Sequence, residues 1–106
     1  MMLPKEIENK IDKLIALCKK YKVNKIFIFG SSVKGNFNSE TSDIDFLVEI
    51  EDLPPSEKGE ALMQLWSELE ELFARKVDLV TFQNIKNPYL KKDIENSKFL
   101  IYDRAS

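Results

Sequence analysis

Apolar residues recur at helical spacing over residues 5 to 21, where Ile7, Ile11, Leu14, Ile15 and Cys18 are separated by charged positions. That period predicts an amphipathic surface helix whose stripe rests on a sheet or another helix. The pattern changes at Lys25-Ile26-Phe27-Ile28-Phe29, a short β-branched and aromatic run that stops at Gly30. It reads as a strand buried on both faces. From Gly30 to Ser42 the residues are small and polar, which suggests a loop or a short helical turn.

Asp43 to Ile50 reads as a second strand with strict alternation. Ile44, Phe46, Val48 and Ile50 form a wholly apolar face, so Asp43 and Asp45 point together away from it. Pro54-Pro55-Ser56 ends that strand and opens a second helix, with Leu62, Leu65, Trp66, Leu69, Leu72 and Phe73 as its apolar positions. A third strand is expected over Val77 to Phe82. Asn87-Pro88 has the form of an N-cap followed by proline at the first helical position, and Lys98 to Tyr102 fits a fourth strand. The alternation of strands and helices is α/β, without repeats or low-complexity tracts.

Composition narrows the chemistry more than the fold. At 106 residues with 43% apolar, residues 1–106 are sized for one domain with one core. Charged residues nearly balance at a net charge of −2, so neither direct nucleic-acid binding nor association with an anionic membrane is expected. No apolar run approaches the roughly 20 residues that span a bilayer, and a cytoplasmic protein is expected. The single cysteine, Cys18, lies on the apolar stripe of the first helix and reads as a buried thiol. The chain contains no histidine, which removes imidazole as general base, triad member and zinc ligand. Chemistry must then run on carboxylates, hydroxyls, lysines or a bound metal.

Three aspartates answer that description. Asp78 sits inside an otherwise apolar strand, where burying a carboxylate costs several kcal/mol unless its charge is compensated. Asp43 and Asp45 lie on one strand face, repel each other and would share a cation. Three converging carboxylates make a hard oxygen site suited to magnesium. Taken alone, an Asp-x-Asp pair is equally consistent with a solvated strand end, with a calcium site or with a sugar-nucleotide transferase. Gly30-Ser31-Ser32 at the end of the preceding strand adds a place where a phosphate can approach backbone amides and hydroxyls, although an ordinary turn has the same composition. Glu49 shares the aspartate face but falls about 13 Å from Asp45 and reads as a solvated strand end. Tyr89, Tyr102 and Trp66 are candidates for stacking on a base, with Trp66 assigned to the core by its place on a helical stripe.

The segments Gly30-Ser31-Ser32-Val33-Lys34-Gly35 and Ser42-Asp43-Ile44-Asp45-Phe46-Leu47-Val48, with Val77-Asp78-Leu79-Val80 downstream, closely resemble the minimal nucleotidyltransferases of the DNA polymerase β-like superfamily. The stretch from Asn87 to Tyr102 is similar to the family's closing helix and strand. The resemblance implies an α+β nucleotidyltransferase fold, a small mixed β-sheet flanked by helices. It implies a two-metal mechanism. Asp43 and Asp45 would bind two magnesium ions, and Asp78 would complete the catalytic ion's site and help deprotonate the incoming hydroxyl. Gly30, Ser31 and Ser32 would hold the triphosphate of ATP. Lys34 stands where arginine is common in such proteins, keeping the charge without the fork geometry, so a phosphate contact and a solvated lysine both remain open.

Minimal forms of the family pair with a small helical HEPN-type ribonuclease. The resemblance therefore implies an antitoxin that transfers AMP from ATP to a tyrosine hydroxyl of that toxin. Two other readings are compatible with the same residues: an antitoxin that neutralises its partner by contact alone, and nucleotidyl transfer to a small molecule such as an aminoglycoside. In each case the acceptor brings its own binding surface.

Overall fold

A computed structural model describes residues 5–30, 43–81 and 85–105. The chain runs through helices α1 (Lys5–Glu8) and α2 (Ile11–Lys20), strands β1 (Val23–Phe29) and β2 (Ile44–Ile50), helix α3 (Pro55–Phe73), strand β3 (Val77–Thr81), helix α4 (Pro88–Ser97) and strand β4 (Phe99–Asp103). The four strands form one sheet in the order β3-β2-β1-β4. β1 is antiparallel to both β2 and β4, while β2 and β3 are parallel. Parallel neighbours require a crossover, and α3 supplies it. The architecture is the small mixed sheet with flanking helices that the resemblance implies.

One face of the sheet carries the core. Ile26 and Ile28 from β1, the four even-numbered residues of β2, and Val77 and Leu79 from β3 meet Ile7, Leu14 and Cys18 from the first two helices and Leu65, Leu69 and Phe73 from α3. Phe46 and Phe73 pack with ring centroids 5.9 Å apart. The Cys18 thiol is fully enclosed, and burial pushes it up to about 12, so it is an inert core group. The opposite face is only partly covered: Leu47 and Ile94 are buried outside the main cluster, but Phe27 and Phe29 remain half-buried. β1 is therefore enclosed on one face, not both. The uncovered face is the one that bears carboxylates.

Three further expectations are revised. The helix over residues 5 to 21 is two helices, because Lys10 leaves helical geometry at φ −114° and ψ 14°. In that position its ammonium donates to the Leu72 carbonyl at 2.7 Å in the last turn of α3 and lies over the Phe73 ring. Such a bond satisfies a helix-end carbonyl and favours the negative end of the helix dipole. Trp66 is not core: it is 38% exposed, and its indole nitrogen donates to the Val77 carbonyl at 2.6 Å. The fourth strand begins at Phe99 because Lys98 still closes α4, its amide donating to the Ile94 carbonyl. The Asn87 side chain caps α4 as expected, accepting from the amides of Tyr89 and Leu90, with Pro88 at the first position. Among the described residues no helix is long and apolar enough to cross a membrane.

Candidate active site

The parallel pairing of β2 and β3 sets Asp45 directly beside Asp78, and the antiparallel pairing of β1 and β2 sets Phe29 on the other side of Asp45. Asp45 and Asp78 are each the second residue of their strand, whereas Phe29 is the last of β1. The site therefore forms at one end of the sheet, where β1 finishes and the parallel pair begins. Strand alternation does the aiming: Ile44 and Phe46 flank Asp45 and are wholly buried, which turns the carboxyl to the less covered face. Val77 and Leu79 do the same for Asp78. Asp43 stands one residue before β2 and is half-buried.

Electrostatics couples these groups. The Asp45 carboxyl is pushed up to about 6, first by burial, then by the charge of Asp78, by its hydrogen bond with Asp78 and by the charge of Asp43. Two carboxylates held this close resist being ionised together, and a cation between them removes the conflict. The donors are carboxylate oxygens, which suits a hard divalent ion such as magnesium. Asp43 acts on Asp45 through charge rather than contact, and no three acidic side chains among the described residues are arranged as a finished ion cluster. The fit of a magnesium ion thus rests on the Asp45–Asp78 pair, with Asp43 as the nearby third carboxylate.

Gly30 follows Phe29 with a φ of +75°, and a Cβ on it would lie 2.4 Å from Asp45 Oδ2. Glycine is required twice over, for the left-handed backbone and for the approach of the chain to the carboxyl. Ser31, Ser32 and Lys34 lie outside the described residues. Glu49 is exposed near the far end of β2, paired with Lys25 on β1 and well away from the aspartates. Tyr89 is exposed on α4, and Tyr102 packs partly against the core.

Two residues touch the site's framework in ways the hydrophobic pattern did not show: Trp66, which it placed in the core, and Glu70, which it did not mark. Glu70 accepts from the Val77 amide at 3.1 Å, and Trp66, one turn earlier on α3, donates to the Val77 carbonyl. Both polar backbone groups of the residue before Asp78 are held by side chains of the crossover helix. The i, i+4 spacing of Trp66 and Glu70 was visible, as was the strand at Val77, but not the docking of the helix along that strand's edge.

The family model described as "Nucleotidyltransferase domain" matches residues 11–101. Two proteins of Methanocaldococcus jannaschii, each bearing the name "Putative protein adenylyltransferase", are 43% and 45% identical over 98 residues, covering 92% of this chain and 92% of theirs. Among solved structures, a toxin–antitoxin crystallised with AMP-PNP superposes with a TM-score of 0.66 at 25% identity, over 88% of this chain and 73% of that one.

Proposed function

The chain belongs to the nucleotidyltransferase domain family, and from that premise we propose that it is the antitoxin of a HEPN-type ribonuclease toxin, to which it transfers AMP from ATP. The observation that carries the reading is the Asp45–Asp78 pair, held in register across parallel strands and strained by its own charge. Family membership makes the chain a nucleotidyltransferase, and its relatives' name directs the reading to a protein acceptor. The toxin–antitoxin likeness directs it to a toxin. The HEPN class and the tyrosine acceptor follow from the family resemblance of the Gly-Ser and Asp-x-Asp motifs.

In this proposal the acceptor hydroxyl oxygen attacks the α-phosphorus of ATP. An oxygen–phosphorus bond forms, the bond to the bridging oxygen breaks, and pyrophosphate leaves with the electron pair. Asp43, Asp45 and Asp78 would hold magnesium, which when bound neutralises phosphate charge and lowers the hydroxyl's pKa. Asp78 receives the hydroxyl proton. Gly30 leaves the end of β1 bare of side chain so that the triphosphate reaches the backbone, with Ser31, Ser32 and Lys34 next in sequence to contact it.

The test is incubation with labelled ATP, magnesium and the protein encoded beside this one, followed by mass spectrometry of the products. AMP on a tyrosine of the partner, lost in Asp45→Asn and Asp78→Asn, is the expected result. Transfer of label to an added aminoglycoside alone would overturn the choice of acceptor. Neutralisation of the toxin by the Asp43→Asn/Asp45→Asn double variant as fully as by wild type would replace catalysis with binding.

A further inference from the structure

We propose that Trp66 and Glu70 of the crossover helix are positioning residues that set where Asp78 stands against Asp45. The inference builds on the reading of Asp78 as a catalytic carboxylate.

Among the described residues β3 is an edge strand, with β2 on one side and no strand on the other. The Lys76 carbonyl accepts from the Ile44 amide at 3.1 Å, so the chain's polar groups face β2 at that residue. Backbone groups alternate in direction along a strand, which turns the amide and carbonyl of Val77 outward to the open edge. There Glu70 takes the amide and Trp66 the carbonyl. The Val77 side chain is wholly buried in the core, so that residue is anchored on both its side chain and its two backbone groups. Asp78 is the next residue, and its carboxyl inherits the position.

A simpler account is that the pair only shields an edge from pairing with another chain. The two accounts differ in kinetics. A shield affects aggregation and leaves turnover alone, whereas a positioning device acts on the reacting geometry, where a displacement near 1 Å lowers rates by about 100-fold. Trp66 is also more exposed than a residue kept for packing alone, and its bond is made through the indole nitrogen rather than by ring burial. Phenylalanine at 66 removes the donor and keeps most of the ring. Glutamine at 70 keeps an acceptor, and alanine removes it.

The experiment combines steady-state kinetics with amide hydrogen exchange on the full chain. For Trp66→Phe/Glu70→Ala, kcat is expected to fall about 10- to 100-fold with KM for ATP within about twofold of wild type. Exchange at the Val77 amide should quicken at least about tenfold, while the amide of Val48 in the central strand keeps its protection. Glu70→Gln should restore most of the activity. Unchanged kcat with a faster Val77 amide would overturn positioning in favour of edge shielding. Unchanged Val77 exchange would overturn the clamp itself, as would equal loss of protection at Val48, which would mark general unfolding. If wild type transfers nothing, or Asp78→Asn keeps full activity, the catalytic reading fails separately, and exchange at Val77 still decides whether the clamp holds.

Discussion

At the scale of the residue, the site is governed by the conflict between packing and charge at Asp45. Its carboxyl sits between Phe29 and Asp78 with Gly30 folded against it, and it keeps its proton to about pH 6. The sign of the pH effect follows directly. The unfolded chain releases this proton near pH 4 and the folded one near 6, so between those values the folded state binds more protons and stability falls as pH rises. The loss is about 1 kcal/mol once solvent screening of a half-exposed group is allowed for. Denaturant titrations of the metal-free protein should show that slope, and Asp45→Asn should flatten it. Gly30→Ala should be more damaging than an ordinary loop substitution, because the new methyl meets Oδ2 while the backbone remains left-handed. A loss of about 1–3 kcal/mol is expected in a denaturation midpoint, together with loss of nucleotide transfer.

At the scale of the element, short local signals were accurate and long-range ones were silent. Asn87-Pro88 announced the start of α4, since a cap and a proline act on amides two or three residues away. Asn87→Ala should lower stability by about 1 kcal/mol, read as a shift in the denaturation midpoint at constant slope. The break between α1 and α2 had no such local mark. What accompanies it is the bond from Lys10 to the Leu72 carbonyl, 62 residues away in sequence. Trp66 was misassigned for a related reason: its position on the apolar stripe is compatible with burial, and only the arrival of β3 beneath α3 gives the indole nitrogen a carbonyl to meet. The run Lys25 to Phe29 looked doubly buried because aromatic and β-branched residues alternate from Ile26 onward without a polar member, yet the covering helices α2 and α3 share one side of the sheet.

At the scale of the whole molecule, the sheet brings together residues from three strands that are 33 positions apart between Asp45 and Asp78 alone. Because the repulsion within that pair is present in the absence of a ligand, a ligand that cancels it should stabilise the fold. Adding magnesium with a non-hydrolysable ATP analogue at pH 7 should raise the melting temperature. At ligand concentrations about 100-fold above Kd the gain is about 2.7 kcal/mol. Asp45→Asn and Asp78→Asn should each lose most of the gain, and chelation of magnesium should reverse it in wild type.

What the sequence determined by itself was the set of parts: four strands, the helices between them, the outward aim of Asp45 and chemistry without histidine. These follow from periodicity, capping and composition, which operate over a few residues. Tertiary structure alone decided that β2 and β3 run parallel in the register that sets Asp45 beside Asp78, that one sheet face stays partly open, and that α3 holds Val77 at the edge. The physical reason is the same in each case. Strand register and helix docking are settled by contacts between distant segments, and neither the burial that raises Asp45 nor the bonds that anchor Val77 exist until those segments meet.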